Sequence, residues 1–391
     1  MMNNPIKNWT TSLYKWVQYR TGVGDLVREQ LTEYRLPPRL TKWQTLGGLS
    51  LFVFGLQLVT GVLLLLYYVP STEEAFDSIR RIMLEIPYGW LVRNAHAVGS
   101  HLMIVVLLLH MVSVMFMGSY KNPREITWLT GCGLLFLTLG VCFTGYLLPW
   151  SQLSYWATTV ATSIPEPIPV VGPWIVKLIR GGERINPDTL NRFFALHVVA
   201  IPAAMLAFTG IHLYLVRVLG IEDPELPDPR QTPAHKPEPA FSENPASQPQ
   251  ETEREDKYRK PQYKQGMLFY PTFVMGDVLV IFIFMVFFLA GVFFYPDWIV
   301  SGDSEIPADP FNTPEHIKPE WYFLAPYQFL KLVPSEIGAL ILQTVAFLAF
   351  VCLPFIDFSK EHNILKRPVF LMIIIFSILF FLGLTIWGAV S

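Results

Sequence analysis

The sequence predicts an all-α integral membrane protein with seven transmembrane helices, and three observations lead there. Of its 391 residues 52% are hydrophobic and only 15% charged, where a soluble domain carries about a quarter charged side chains. Seven apolar runs approach or exceed the roughly 20 residues that a helix needs to cross the hydrocarbon core. One long polar stretch separates the first four runs from the last three.

The runs are Trp43 to Val69, Tyr88 to Gly118, Thr127 to Leu148, Phe193 to Val218, Thr272 to Tyr295, Ile337 to Ile356 and Pro368 to Val390. Ahead of them, the first forty residues are polar, charged and aromatic, unlike the apolar core of a cleavable signal peptide. After the fourth run, Ile221 to Gln265 contains a proline- and charge-rich stretch from Pro224 to Pro261. It has too few large apolar residues to fold alone and reads as a cytoplasmic linker. Three units result: a four-helix unit over residues 1–220, a linker over 221–266 and a three-helix unit over 267–391. Lys and Arg crowd the arm up to Lys42, the loop after the second run, the stretch Arg217 to Lys264 and the loop before the last run. Basic loops stay in the cytoplasm, so the N-terminus is expected there and the C-terminus on the opposite, positive side.

Composition excludes several partners. A formal net charge of -2 supplies no basic field for nucleic acid. Cys132, Cys142 and Cys352 all lie in apolar runs without a C-x-x-C pair or a C-x-x-C-H haem-attachment motif, which argues against an iron–sulfur cluster or a c-type haem.

Five of the eight histidines lie in apolar runs, where ionisable side chains are costly and usually functional. In the second run His96 and His110 are fourteen residues apart, which on an α-helix puts them within about 40° of one face and about 21 Å apart along the axis. In the fourth run His197 and His212 are fifteen apart, within about 60° of one face. Two helices that each present two imidazoles at matching depths suit two stacked haems with paired axial histidines. His96 would pair with His197 near the positive surface and His110 with His212 near the negative one. His101 is rotated about 140° from His96 and reads as a structural or loop-facing residue. Gly47 and Gly61, and Gly131 and Gly145, are also fourteen apart, and small residues at those depths would let a flat macrocycle approach the helix backbone. A packed histidine or a helix-packing glycine explains any one of these positions, but not the repeated spacing.

Four segments carry a resemblance: G-W-L-V-R-N-A-H ending at His96, K-N-P-R-E-I-T-W from Lys121, G-Y-L-L-P-W-S-Q-L-S-Y-W from Gly145, and A-D-P-F-N-T-P-E-H-I-K-P-E-W-Y-F from Ala308. With the four histidines, they resemble the cytochrome b family, the membrane subunit of quinol:cytochrome c and quinol:plastocyanin oxidoreductases. The fifteen-residue spacing of His197 and His212 is the chloroplast-type value, and seven spans fit a four-helix cytochrome fused to a three-helix subunit that is separate in that branch. H-I-K-P-E-W-Y-F-L-A-P-Y is closer to the mitochondrial wording, so the chain resembles a fused bacterial form, expected in the cytoplasmic membrane.

The resemblance implies two non-covalent b haems, each with iron held by His96 and His197 or by His110 and His212. It also implies quinol oxidation on the positive side, with one electron passing to a mobile Rieske iron–sulfur protein. The other crosses both haems to a quinone on the negative side, coupled to proton translocation. A cytochrome c-type subunit and a homodimeric complex are expected as well. Thr45 stands where chloroplast-type relatives carry a haem-attaching cysteine, so no covalent third haem is expected. Ala97 replaces an arginine of some relatives, leaving Arg93 to pair a haem propionate. Arg217, with Lys42, Arg124 and Asp277 near the same surface, is a candidate for propionate pairing or for proton supply to a quinone, and ordinary basic anchoring is the equal alternative for all but Arg217.

Glu320 lies in a proline-bounded, largely apolar loop, where desolvation favours proton uptake and suits a general base. A salt-bridged loop carboxylate is the alternative. By resemblance, Glu320 would accept a quinol proton, Tyr146 and Tyr322 would border the pocket, and the amphipathic segment Ser151 to Thr162 would form its opposite wall. A two-haem anchor of a hydrogenase or formate dehydrogenase would lack the Pro319 to Tyr322 run. A secondary transporter would show inverted repeats, and none is visible.

Overall fold

The computed structural model describes residues 5–38, 40–221, 266–294, 302–315 and 317–391. The predicted linker over 221–266 therefore lies outside the described residues, apart from its two ends.

An N-terminal helix, α1 (Pro5–Thr21), leads through short turns to α2 (Leu46–Leu65), α3 (Ala75–Leu84), α4 (Gly89–Phe116), α5 (Glu125–Tyr146), α6 (Gln152–Ser163), α7 (Val171–Arg180) and α8 (Pro187–Ala195). A π turn, Leu196–Ala200, carries α8 without a break into α9 (Ile201–Leu219). Beyond the linker come α10 (Val274–Phe294), α11 (Trp321–Leu332), α12 (Glu336–Val351) and α13 (Pro368–Val390). The starts follow from capping chemistry. Ser151 accepts from the Ser154 amide at 3.3 Å ahead of α6, Asn186 accepts from the Thr189 amide at 3.1 Å with Pro187 next in line ahead of α8, and Ser335 accepts from the Gly338 amide at 3.1 Å ahead of α12.

Six helices among the described residues are long and apolar enough to cross a membrane: Lys42–Leu65, Gly89–Phe116, Glu125–Tyr146, Pro187–Leu219, Phe269–Phe294 and Pro368–Val390. The protein is an integral membrane protein of helical architecture. The predicted sixth run, Ile337 to Ile356, divides instead. Its helix α12 has 16 residues, about 24 Å of rise against a hydrocarbon core of about 30 Å. Cys352 then leaves the helical conformation, and a single turn, Leu353–Ile356, follows with a proline in its first positions, where the missing N–H costs nothing.

Helix α2 packs along α4, α5 packs along α9, and α10 lies against α2 and α4. Their common core joins Leu49, Val53 and Phe54 of α2, Val98, Met103 and Val106 of α4, Met205 of α9 and Phe284, Phe288 and Val292 of α10. Met103 and Met205 fall midway between the two histidines of their own helices. An apolar layer thus lies between the His96 level and the His110 level.

The two halves of the chain are clasped at both ends. At the His96 end, the loop before α11 is hydrogen-bonded to the start of α6. The Gln152 amide donates to Ile306 O at 2.8 Å, the Ala308 amide to Trp150 O at 3.1 Å and the Asp309 amide to Gln152 Oε1 at 2.7 Å. At the other end, Arg35–Leu36 pairs antiparallel with Met267–Leu268. There too, the carboxylate of Asp357 accepts from Lys121 Nζ at 2.7 Å and from Tyr120 and Arg367. The Asp357 and Arg367 side chains are only 9% and 4% exposed.

Burial alone would raise the Asp357 pKa, but hydrogen bonds from Lys121 and Tyr120 and the charges of Arg367 and Lys121 outweigh it and hold the carboxyl below its ordinary value. Desolvation also keeps the Lys121 ammonium below its usual range, so part of the attraction is spent on burying that cation. A depressed carboxyl pKa contributes stability above the unfolded value and loses it as pH falls through the folded one. Asp357→Asn should therefore lower stability by about 3–5 kcal/mol at neutral pH, because it leaves two buried cations without their anion. Thermal unfolding in detergent should show this, with the native chain's advantage over the variant shrinking in acid. A variant as stable as the native chain at pH 7 would mean that the cluster does not hold the halves together.

Candidate functional site

Each of the four predicted histidines faces one of the four predicted glycines. A methyl group built on Gly61 would lie 3.3 Å from His96 Cε1, on Gly47 3.3 Å from His110 Cε1 and on Gly131 3.4 Å from His212 Cε1. On Gly145 it would overlap the His197 ring. Across the site, the His96 and His197 rings stand 6.1 Å apart, centre to centre. The π turn explains the unequal spacings: His197 lies within Leu196–Ala200, where one extra residue is wound into the helix. Fifteen residues on this helix then span the same depth as fourteen on α4, and the 60° offset expected for an unbroken α-helix is reduced.

The Nδ1 atoms reveal how the rings are held. His197 Nδ1 lies 2.8 Å from the Val141 carbonyl oxygen, which can only accept, so Nδ1 carries the proton. His96 Nδ1 lies 2.9 Å from Thr60 Oγ1 and His212 Nδ1 3.0 Å from Thr130 Oγ1. Both hydroxyls spend their own hydrogen on a backbone carbonyl, Leu56 O and Thr127 O respectively, each at 2.8 Å. Their lone pairs are then left to receive Nδ1–H. In all three rings the Nε2 lone pair stays available, as an imidazole bound to iron requires. His110 Nδ1 is buried with no hydrogen-bond partner among the described residues.

A cavity of about 310 Å³ reaches from His96, His197, Gly61 and Gly145 to Glu320. Arg93 also lines it, and its Nη1 is a buried donor without a partner among the described residues, an open position for an anionic group. The imidazoles, the bare glycine faces and this unmet guanidinium fit a planar anionic macrocycle that takes a nitrogen on each face.

The other predicted cations are placed differently. Arg217 Nε donates to Gln30 Oε1 at 2.7 Å, and its guanidinium lies 3.3 Å from the centre of the Tyr34 ring. Arg124 Nε donates to Gly220 O at 3.1 Å. Both contacts tie the cation to a neighbouring segment of the chain. Lys42 and Asp277 do converge: Lys42 Nζ lies 3.1 Å from where a Gly276 Cβ would be, and Asp277 Oδ2 lies 3.1 Å from the same position on Gly48, next to Gly47. Asp277 Oδ1 is buried without a partner among the described residues. Thr45 is buried, with its hydroxyl donating to Lys42 O at 2.6 Å.

Glu320, Tyr146 and Tyr322 all line the cavity, as do Ser151, Leu153 and Ser154 from the start of α6. Desolvation raises the Glu320 carboxyl to about 7, against the opposing hydrogen bond of Tyr146. The Tyr322 hydroxyl is buried beside the Cys142 thiol and hydrogen-bonded to it. His101 does face a loop, the one carrying Glu320: its Nδ1 accepts from Trp321 Nε1 at 3.0 Å and lies 3.9 Å from Glu320 Oε2. Sequence reasoning missed Cys142 and the threonines. A signal for the latter was present, since Thr60 and Thr130 each directly precede a predicted glycine.

Residues 31–220 match the family described as Cytochrome b/b6/petB, and residues 307–391 match Cytochrome b(C-terminal)/b6/petD. A cytochrome b of Rhodospirillum rubrum is 34% identical over 362 residues, covering 93% of this chain and 82% of its own. A cytochrome b of Rickettsia bellii (strain RML369-C) is 32% identical over 361 residues, covering 92% and 82%. A solved structure described as hyperthermophilic respiratory Complex III aligns with a TM-score of 0.82 and 34% identity, over 96% of this chain and 91% of that one.

The pairing of levels can be tested directly. His96→Leu or His197→Leu should each remove the same one of two haem signals in an absorption spectrum, and His110→Leu or His212→Leu the other. Equal loss of both signals in every variant would leave the pairing without support.

Proposed function

This chain belongs to the cytochrome b family, and from that premise we propose that it is the di-haem cytochrome b subunit of a quinol:cytochrome c oxidoreductase of the Rieske type. The observation that carries the proposal is the set of four histidine–glycine pairs at two depths, three of them with Nδ1 hydrogen-bonded so that Nε2 is free. His96 and His197 would hold one b haem and His110 and His212 the other, with Arg93 near a propionate. When bound, the haems supply a one-electron path from a quinol site on the positive side to a quinone on the negative side, coupled to proton translocation. No thioether to a third haem is part of the proposal, since Thr45 offers a hydroxyl in place of a thiol.

The chain's own residues do the proton work. Glu320, desolvated in its loop, accepts a quinol proton. Tyr146 hydrogen-bonds the same carboxylate, and Tyr322 closes the pocket beside it. At the opposite level, Asp277 with Lys42 is the candidate for proton supply to quinone, while Arg217 and Arg124 anchor the surrounding segments. In this reading Ile337 to Ile356 makes a seventh crossing, residues 1–220 form a four-helix di-haem bundle, and 267–391 are the fused three-helix part. The N-terminus then lies in the cytoplasm of a bacterial cell and the C-terminus on the positive side. Likeness to a Complex III structure supports a Rieske protein and a cytochrome c-type subunit as partners, in a homodimeric complex.

Glu320→Gln tests the base. The amide is close in size and keeps hydrogen-bonding capacity, so folding and both haem spectra should persist. A base near pH 7 is increasingly ready as pH rises through that value, so the native rate should climb there. Turnover of the variant should fall about ten- to a hundredfold, with the pH optimum displaced upward. Native turnover with the native pH profile would make Glu320 a structural loop residue.

A further inference from the structure

We propose that His101 is the second proton acceptor of the quinol cavity, taking from Glu320 the proton that Glu320 receives. The inference rests on the reading of Glu320 as the first base. Four observations converge on His101. Its Nδ1 is 3.9 Å from Glu320 Oε2. It accepts the Trp321 indole N–H at 3.0 Å, so its lone pair already points at the loop that carries Glu320. Its ring centre is 6.0 Å from that of Tyr322, and it lines the same cavity as Glu320 and Tyr146. A histidine held only for packing would have no need to reach both the indole of Trp321 and the carboxylate of Glu320, consecutive residues at the start of α11.

The chemistry balances as proton transfer alone. A quinol O–H bond breaks, and its proton forms an O–H bond on the Glu320 carboxylate. That O–H then breaks as Nδ1 of His101 gains the proton, and the Trp321 N–H···Nδ1 bond opens because the nitrogen lone pair is now in use. The result is an imidazolium beside a regenerated carboxylate, ready for the second quinol proton. Loss of the Nδ1 proton to water restores the neutral imidazole and the bond to Trp321. The charged and titratable groups facing this step are Arg93 on the same helix, Glu320 in the loop, Tyr322 at the start of α11, and Cys142 and Tyr146 on α5. Arg93 repels an imidazolium, which favours onward release of the proton over its storage.

Two substitutions separate relay from anchoring, assayed in the intact complex with a soluble quinol. His101→Asn keeps an acceptor for Trp321 but cannot titrate, whereas His101→Leu removes both functions. The relay predicts that His101→Asn retains both haem spectra but turns over about three- to tenfold more slowly with a flattened pH profile near neutrality, a fraction of the usual general-base effect. It also predicts that His101→Asn combined with Glu320→Gln is no slower than Glu320→Gln alone, since both act on one path. Infrared difference spectra should show the Glu320 carboxylic acid persisting longer during turnover in His101→Asn. Native rate and pH profile in His101→Asn, with loss confined to His101→Leu, would reduce His101 to a loop anchor and overturn the relay. If Glu320→Gln were native while His101→Asn was impaired, the Glu320 reading would fail and the relay with it. If Glu320→Gln were impaired while His101→Asn was native, the relay alone would fail.

Discussion

An imidazole in an apolar medium is best held to offer Nε2 to a cofactor when a neighbouring oxygen of the protein accepts its Nδ1 proton. This requirement organises the centre of the protein. Val141 O, Thr60 Oγ1 and Thr130 Oγ1 receive three of the four Nδ1 protons, and all three acceptors sit on helices opposite the histidine they serve. The ring orientation therefore depends on α2 packing along α4 and α5 along α9. Helix packing, glycine placement and ring orientation are then coupled: an acceptor lies near Nδ1, and a glycine faces each ring, most tightly at Gly145.

The same constraint accounts for the remaining layers. The apolar core about Met103 and Met205 lies between the two histidine levels. The loop bearing Glu320 belongs to the second half of the chain yet must close a cavity built mainly by the first. Hydrogen bonds from 306–309 to Trp150 and Gln152 fasten it at one end, while Asp357 with Lys121, Tyr120 and Arg367 fastens the halves at the other. The position of the Glu320 loop over the cavity thus rests on contacts between the two halves of the chain at both ends.

Much of this is legible in the amino-acid sequence. Polar residues in apolar runs are costly, so the spacing of His96, His110, His197 and His212 carried information that periodicity could recover, and so did the glycines opposite them. The π turn at His197 was not legible, because an extra residue in a helix leaves no local sign in composition. Instead, the fifteen-residue interval looked like an angular misfit. Arg124 is open to two readings for a physical reason: a cation near a membrane surface can serve a propionate, a headgroup or a backbone carbonyl. Arg217 is held by Gln30 and Tyr34, and Arg124 Nε donates to Gly220 O. The loop-facing orientation of His101 followed from its rotation off the haem seam, but its proximity to Glu320, 219 positions along the chain, depends on how the halves dock. The sixth run looked continuous in hydropathy although Cys352 interrupts the helix.

The central claim is that the two histidine levels each hold one b-type haem. A reduced-minus-oxidised absorption spectrum of the purified chain, with pyridine haemochrome quantification against protein, tests it most directly. The account predicts two b-type haems per chain, resolvable as two components in a redox titration. A colourless protein, or one haem per chain, would contradict it.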